Sequence, residues 1–312
     1  MSGAARAGIA VDVGGTKIES AESAAPDTVH RILTRVDEGA DGLTRQVLSA
    51  IDRWAPRPGE HIVVASAGHL DRPAGRVISA ANLPWRDHPL VDTIAAATGC
   101  EPELIGDATA ATLAELAHPS RARHRDGLYV TVSTGIGMGV VRDGLLDWQD
   151  GIGERELGHV RVATGDDAAR CGCGRRGCLE AYSSGSGMVR RYLDLTGGAV
   201  AEPTVAGVAA AAEQGEPAAR LVLDQALDYL AMALTAAVTR VRATILVLGG
   251  GVLRQDGLFA SLNDRLRARI GPGPAVERPI HGAHSTLHGA AALCERERRV
   301  MATLARDEEG VG

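Results

Sequence analysis

The 312-residue chain has few cysteines, almost no lysine and no excess of positive charge. Its five cysteines are an odd number, which no complete set of disulfides would leave. Its formal net charge of −6 disfavours a surface for nucleic-acid phosphates. No apolar run reaches membrane-spanning length, and the N-terminal "MSGAARAGIAVDVGG" has no signal-peptide core. These absences predict a cytoplasmic globular protein with reduced thiols and without nucleic-acid or membrane partners.

Three of the five cysteines are concentrated in one stretch, "CGCGRRGCLE" at residues 171–180. A C-x-C-x4-C spacing can wrap one metal ion, and tetrahedral zinc needs a fourth ligand. His159 in "GERELGHV" lies within reach of this loop, and the glycines between the cysteines allow tight turns. We therefore predict a zinc site with His159, Cys171, Cys173 and Cys178 as ligands. The alternative is a set of free thiols in a glycine-rich loop, which would be open to oxidation.

Glycine-rich turns follow three strand-like segments, at residues 12–17, 133–139 and 248–252. Glycine lets backbone N–H groups approach anionic oxygens without interference from a Cβ. Together the loops predict a nucleoside triphosphate site, although the steric needs of a tight hairpin explain each loop alone. They match neither the Walker pattern nor the GxGxxG motif that opens a helix. The residues assigned to this site are Asp12, Gly14, Gly15, Thr16, Lys17, Thr134, Gly135, Gly137, Gly249, Gly250 and Gly251.

Lysine occurs once, since Lys17 is the only lysine among 33 basic residues. Its position beside the first glycine loop suggests that a compact ammonium group is required there, with chance as the alternative. Asp12 in the same turn can hold Mg²⁺ through water, because Mg²⁺ keeps several waters and few carboxylates. We therefore expect Lys17 and Asp12 to face the phosphates.

The order of strand-like and helical segments is typical of an α/β protein with two domains. Each half opens with a β-hairpin whose turn is rich in glycine, and the polar "RHRDG" is the candidate boundary between the halves. We predict a first domain at residues 1–122, completed by a C-terminal helix at about 285–307. The second domain then comprises residues 123–284 and contains a long helix that precedes a buried strand.

Six segments in this order resemble the ROK family of sugar kinases and sugar-responsive repressors. They are "VDVGGTK", "GDATAATLAE", "STGIGMG", "GERELGH", "CGCGRRGCLE" and "VLGGGV". The resemblance implies an α/β fold of the actin-like, hexokinase-type ATPase class, with two α/β domains, five-stranded mixed sheets and an interdomain cleft. It also implies ATP, Mg²⁺ and structural Zn²⁺ as cofactors, a small-molecule sugar as substrate and a homodimer.

The resemblance also implies roles for matched positions. Asp107 matches the family's catalytic aspartate, which would accept the proton of a sugar hydroxyl that attacks the γ-phosphate. From the residues alone, an aspartate that caps a helix is an equal alternative. Glu156, His159 and Glu180 match sugar-binding positions, and Asn82 in "NLPW" matches a sugar-proximal asparagine. One ring nitrogen of His159 would bind zinc while the other donates to the sugar.

Departures from the family pattern concern mainly the sugar. Gly106 stands where the family has asparagine, and "SAGHLDRPAG" replaces a stretch with Pro-Gly. Glycine removes a hydrogen-bonding amide and leaves room near C3, so we place Gly106 among the substrate-binding positions. We predict an ATP-dependent kinase for the 6-hydroxyl of glucose or of an analogue such as kanosamine (3-amino-3-deoxyglucose). A C7-cyclitol kinase of antibiotic biosynthesis is the alternative, and a repressor is disfavoured because only eleven residues precede Asp12.

Overall fold

The computed structural model describes residues 8–148, 156–198 and 203–295, which fall into two compact units. Unit 1 comprises Met1–Glu115, Trp148–Gly151 and His284–Gly312, and unit 2 comprises Leu116–Asp147 and Ile152–Ala283. The sequence-based domain limits stay predictions. The part of the predicted C-terminal helix beyond residue 295 lies outside the described residues.

Unit 1 contains eight strands and three α-helices over residues 9–116. In chain order these are β1 (Ile9–Val13), β2 (Lys17–Glu22), β3 (His30–Leu33), α1 (Gly39–Asp52), β4 (His61–Ser66), β5 (His69–Asp71), β6 (Arg76–Ser79), β7 (Arg86–His88), α2 (Leu90–Thr98), β8 (Glu101–Gly106) and α3 (Asp107–Leu116). Residues 285–295 form a further helix.

The main sheet of unit 1 is mixed, in the order β3-β2-β1-β4-β8. Strand β1 pairs antiparallel with β2 and parallel with β4, which in turn pairs parallel with β8. Because β1, β4 and β8 run in the same direction, their carboxyl ends lie at one edge of the sheet. The first glycine loop follows β1 and Asp107 follows β8, so this edge brings two predicted site elements to the same place.

The core of unit 1 covers both faces of this sheet. Strand β4 is buried along its centre, as expected for a parallel strand covered on both sides. One face packs against α1 and α2, and the other packs against α3 and the helix at 285–295. Gly289 permits this last contact, because a Cβ there would lie 1.8 Å from the carbonyl oxygen of Ala110.

Unit 2 repeats the sheet plan of unit 1. Its elements are β9 (Gly127–Val132), β10 (Ile136–Arg142), β11 (Leu145–Leu146), α4 (Glu180–Ser183), α5 (Gly185–Thr196), α6 (Val205–Glu213), α7 (Pro217–Val241), β12 (Ile245–Gly249), α8 (Asp256–Ile270) and β13 (Ala275–Glu277). The sheet order is β11-β10-β9-β12-β13, and β9 pairs antiparallel with β10 and parallel with β12. The predicted α/β fold with five-stranded mixed sheets is confirmed.

From the sequence, no apolar segment of membrane-spanning length is expected. Helix α7 differs from this expectation, because by length and composition it is apolar enough to cross a membrane. Half of its apolar window is buried inside the protein. Val222, Ala226 and Leu230 recur at helical spacing and belong to the hydrophobic core of unit 2. The core helix of a globular unit passes the same test of length and composition, so α7 is weak evidence for a membrane span.

Two parts of the fold were not predicted. One is the set of helices α4, α5 and α6, which follow the cysteine segment. Helix α5 begins with glycines, and its start is stabilised by Ser184, whose hydroxyl accepts the N–H of Gly187 at 3.0 Å. The small sheet β5-β6-β7 was also missed, because its strands have only three or four residues.

Candidate active site

The first glycine loop in unit 1 is the tight turn between β1 and β2. The N–H of Gly14 donates to the carbonyl oxygen of Lys17 at 3.0 Å, which closes the turn. The hydroxyl of Thr34 donates to the carbonyl oxygen of Gly14 at 2.7 Å. Asn82 lies against the loop, since a Cβ on Gly15 would be 3.1 Å from the Cβ of Asn82. The structure thus brings the predicted Asn82 to the predicted loop.

Two carboxylates lie at the same edge of the sheet. Asp12 is in β1, just before the loop, and Asp107 is the first residue of α3. The carboxylate of Asp107 accepts the N–H of Ala108 at 2.7 Å, at a helix end where the dipole favours negative charge. Burial, followed by the charges of Asp107 and Glu19, raises the pKa of Asp12 to about 7, and Lys17 acts in the opposite direction. The carboxylates of Asp12 and Asp107 therefore interact electrostatically.

Lys17 has a partner that the sequence did not identify. Its ammonium forms an ion pair with Glu19, a fully buried carboxylate that Arg31 also contacts. Burial alone would raise the pKa of Glu19, but the hydrogen bonds from Lys17 and Arg31 and the charge of Lys17 hold it below its ordinary value. The alternation of polar residues in β2 was the available signal, and it is equally typical of a solvent-exposed strand face.

In unit 2, the loop after β9 and the loop after β12 run side by side. The turn Ser133–Gly135 joins β9 to β10, and the N–H of Val252 donates to the carbonyl oxygen of Val132 at 3.1 Å. Gly250 has φ +94°, and a Cβ there would lie 2.2 Å from the same carbonyl oxygen. Only glycine fits this position, because of its backbone conformation and the close approach of β9. The predicted role of Gly250 in ligand binding stays a prediction.

The second glycine loop is shorter than the sequence suggested. Gly137 lies within β10, paired with Thr131, so it is a strand residue. Thr134 and Gly135 remain in the turn. The start of α5 packs against this turn, because the hydroxyl of Ser186 donates to the carbonyl oxygen of Thr134 at 2.6 Å. The predicted role of Gly137 in phosphate binding stays a prediction.

An open pocket lies beside the glycines that follow β12. It is lined by Leu248, Gly249, Gly250, Leu253, Arg254, Arg278, Pro279 and Gly282. The guanidinium of Arg254 lies near the loop, since a Cβ on Gly251 would be 3.5 Å from its Nη2 atom. A pocket with an apolar wall, glycine backbone and guanidinium groups suits a heterocycle that carries phosphates.

The four predicted zinc ligands lie together in unit 2. One ring nitrogen of His159 and the three Sγ atoms are all within 4.8 Å of one another. The Sγ atoms of Cys173 and Cys178 are 3.7 Å apart, and His159 Nδ1 is 3.6 Å from Cys171 Sγ. Tetrahedral zinc, with bonds of about 2.3 Å to sulfur and 2.0–2.1 Å to nitrogen, requires ligand separations of roughly 3.6–3.8 Å. The donor set therefore fits a zinc ion.

The backbone around the cluster is closely folded. Gly177 has φ +78°, and a Cβ there would lie 1.9 Å from the carbonyl oxygen of Ala163. Arg161 and Cys178 form an isolated antiparallel bridge across the segment. Burial raises the pKa of the Cys171 thiol to about 12. A metal would displace that proton. Because the fold of this segment brings the four ligands together, the energy of metal binding would also stabilise the local fold.

Glu180 links the cysteine cluster to the second glycine loop. Its Oε2 atom accepts the N–H of Ile136, the first residue of β10, at 2.9 Å. The same oxygen is 3.3 Å from the Cβ position of Gly158, next to His159. Glu156 accepts the N–H of His159 through its carbonyl oxygen at 2.7 Å. Glu156, His159 and Glu180 are thus held in one region of unit 2.

The predicted sugar-binding positions are divided between the units. Unit 1 contains Asn82, Gly106 and Asp107, and unit 2 contains Glu156, His159 and Glu180. Gly106 is the last residue of β8, paired with Ser66 of β4. It therefore stands at the edge of the sheet where the first glycine loop begins.

Known proteins resemble this chain over nearly its whole length. The model of the ROK family matches residues 8–297. A glucokinase from Thermotoga maritima is 31% identical over 312 residues, with 92% of this chain and 97% of the relative covered. An N-acetylmannosamine kinase from Citrobacter koseri is 32% identical over 304 residues, with 93% and 99% covered. The crystal structure of a ROK family glucokinase from Streptomyces griseus, in complex with glucose and AMPPNP, is 25% identical with a TM-score of 0.76, and 93% of this chain and 99% of that chain are covered.

Proposed function

Because this chain belongs to the ROK family, we propose that it is an ATP-dependent sugar kinase that phosphorylates a hexose. Relatives that align with it over almost their full length are named glucokinase and N-acetylmannosamine kinase. We propose the 6-hydroxyl of the hexose as the acceptor group. The oxygen of this hydroxyl attacks the γ-phosphorus, the bond to the bridging β–γ oxygen breaks, and ADP leaves.

The observation that carries the proposal is the position of Asp107. It begins α3 at the sheet edge where the first glycine loop also lies, and its charge acts on Asp12. A carboxylate at a helix N-terminus is favoured in its ionised form, which is the form that can accept the proton of a sugar hydroxyl. A helix cap alone would not need a second carboxylate within electrostatic reach.

We propose that the glycine loops bind ATP through backbone N–H groups, with the nucleoside in the pocket of unit 2. The residues present fit a divalent cation, because Asp12 is a carboxylate at this edge and the charges of Asp107 and Glu19 act on it in addition to its burial. Asp12 would hold Mg²⁺ through water. The ion would neutralise charge on the transferred phosphoryl group.

We propose a structural role for zinc. Four protein ligands leave no open coordination position, which is typical of structural sites. The use of Nδ1 by the metal would fix the ring of His159 and leave Nε2 for a sugar hydroxyl. Glu180, which bonds to the backbone of β10, would keep this part of the sugar site in register with the second glycine loop.

Three sugars are candidate acceptors. The names of the relatives support glucose and N-acetylmannosamine, and Gly106 supports kanosamine, because glycine leaves space where an amide would contact O3. A C7-cyclitol is the alternative to a hexose. We also propose a cytoplasmic location, where ATP is available, and a homodimer.

The test is a panel of acceptors with Mg·ATP and zinc-loaded protein. ADP formation would be followed with glucose, N-acetylmannosamine, kanosamine and a C7-cyclitol, and the phosphorylated position would be identified by ³¹P and ¹³C NMR. We expect acceptor-dependent ADP formation and a phosphate on C6. ADP formation that no acceptor accelerates would contradict the proposed kinase.

A further inference from the structure

Glu19 is a buried charged residue to which the proposed reaction gives no role. Its side chain is completely inaccessible to solvent, although it lies only two residues after the first glycine loop ends at Lys17. A buried carboxylate is costly unless it is paired and hydrogen-bonded. Its retention in the middle of a strand therefore requires a specific set of partners.

The partners of Glu19 come from three separate parts of unit 1. Lys17 of β2 forms an ion pair with Oε2, and Nε of Arg31 of β3 donates to Oε1 at 2.7 Å. Nδ1 of His284, just before the helix at 285–295, lies 3.6 Å from Oε2. The carboxylate is thus held from its own strand, from the neighbouring strand and from the covering segment. It cannot move without breaking several charged contacts.

The pairing of the strands connects this cluster to the proposed site. Asp12 of β1 is directly opposite Glu19, and Glu19 is directly opposite Arg31. Side chains in such a cross-strand row lie on the same face of a sheet. Lys17 is two residues before Glu19 and so lies on that face too. The row leads from the edge strand to Asp12, beside the first glycine loop.

Lys17 has the geometry of a group shared between protein and ligand. Its side chain is 32% exposed, whereas Glu19 is 0% exposed, so the ammonium is fixed from one side and accessible from the other. An ammonium has three N–H donors, and the bond to Glu19 uses one of them. The four-carbon stem of a lysine is flexible, and an anchored partner removes much of that freedom before a ligand arrives.

We propose that Glu19 is a positioning residue that holds the Lys17 ammonium at the first glycine loop, where it contacts the phosphates of the donor nucleotide. This inference rests on the proposed function, because it assumes that ATP binds at this loop. The alternative is that Glu19 and Lys17 form a purely structural ion pair that no ligand contacts.

The chain offers an unusually direct probe, since Lys17 is its only lysine. Protein labelled with ¹⁵N-lysine, and prepared without a lysine-containing tag, should give one side-chain Nζ signal. We expect that signal to be observable in the parent, because a bonded ammonium exchanges slowly with water, and to shift when Mg·AMPPNP is added. In Glu19→Gln, which keeps the shape and removes the charge, we expect the signal to broaden and the shift to decrease.

Kinetic measurements should distinguish a positioning role of Glu19 from a purely structural ion pair. In Glu19→Gln we expect KM for ATP to rise at least about tenfold, while KM for the sugar and kcat at saturating ATP change less than about threefold. Glu19→Asp should restore part of the loss. Glu103→Gln is the matched control: Glu103 is also an ion-paired carboxylate of this sheet, bonded to Arg72 at 3.0 Å, and its variant should keep the parental KM for ATP.

Several outcomes would overturn the proposal. One is a Lys17 signal in the parent that does not respond to Mg·AMPPNP, and another is a Glu19→Gln variant with KM for ATP within twofold of the parent. If Glu19→Gln does not fold, the Lys17 signal of the parent decides the question, because we expect it to shift when Mg·AMPPNP is added and an unchanged signal refutes positioning. Failure of the proposed function gives a different result, namely a parent protein with no sugar-dependent ATP turnover.

Discussion

The sheets of units 1 and 2 follow one plan, but the residues at the ends of their first strands differ. Strand β1 ends with Asp12-Val13 before its glycine turn, whereas β9 ends with Thr131-Val132 before the turn that begins at Ser133. The edge in unit 1 therefore carries carboxylates and one ammonium. The corresponding edge in unit 2 carries hydroxyl groups and exposed backbone.

This difference shows that two sheets with the same strand order can carry different functional groups at the same edge. In unit 1, buried charges set the behaviour of the edge, as the raised pKa of Asp12 indicates. In unit 2, the backbone conformation at Gly250 and the four clustered metal ligands determine the geometry of the proposed site. Removal of the Asp107 carboxylate in unit 1 should therefore affect mainly the rate of phosphoryl transfer, whereas changes at Gly250 or at the metal ligands of unit 2 should affect mainly ligand affinity and stability.

The largest effect is expected for Asp107→Asn in unit 1. An amide has nearly the shape of the carboxylate but cannot accept the proton, so kcat should fall by about 10²–10⁴. The melting temperature and the zinc content should stay at parental values. Asp194→Asn, at an exposed position of α5 in unit 2, is the control. Turnover within tenfold of the parent would show that Asp107 is not the base.

Loss of the metal should have the next largest effect, and it should be confined to unit 2. Cys178→Ser should abolish stoichiometric zinc in elemental analysis, lower the melting temperature and reduce kcat/KM for the sugar by about 10–100-fold. The matched control is Cys100→Ser, a buried cysteine of unit 1 that donates to a backbone carbonyl. Parent protein that contains no zinc and stays fully active in strong chelator would contradict the zinc site.

Gly250→Ala should test whether shape controls the loop of unit 2. The positive φ and the contact of 2.2 Å with the carbonyl oxygen of Val132 should cost about 1–3 kcal/mol and raise KM for ATP. Gly257→Ala in α8, where a Cβ meets nothing within 4 Å, should leave both quantities nearly unchanged. Equal melting temperatures for the two variants would contradict the interpretation that the backbone at Gly250 requires glycine.

The smallest effect is expected for Gly106→Asn, which changes the acceptor side of unit 1. A restored amide should add one hydrogen bond to glucose, worth about 0.5–1.5 kcal/mol, and should move the ratio of kcat/KM values from kanosamine toward glucose. An unchanged ratio would show that this position does not set specificity. A glucose preference above about tenfold in the parent, or roughly 1.4 kcal/mol, would refute the amino-sugar hypothesis.

Sequence reasoning was successful where the signal was local. The two β-hairpins with glycine-rich turns were predicted from the strand pattern and are present as β1–β2 and β9–β10, whereas the five-stranded mixed sheets were implied by the resemblance to the ROK family. The spacing of His159, Cys171, Cys173 and Cys178 predicted a cluster whose ligand atoms do lie together. Such patterns depend on neighbours within about twenty residues, so they can be recognised without knowledge of the fold.

Features that depend on distant contacts were missed. Glu19 is polar and lies in a strand with other polar residues, so its burial could not be inferred from β2 alone. It becomes clear only when His284, from the opposite end of the chain, covers it. The start of α5 was missed for a similar reason, because the turn of unit 2 against which it packs lies about fifty residues earlier in the sequence.

The helix at 285–295 also has a consequence for the order in which the protein folds on the ribosome. Gly289 packs on Ala110, and the hydroxyl of Ser285 donates to the buried carboxylate of Glu115 at 2.8 Å. Residues 116–283 must be synthesised before this helix can dock. At about 5–20 residues per second, the part of this sheet face that α3 does not cover therefore stays exposed for on the order of ten seconds, an interval in which a chaperone could bind it.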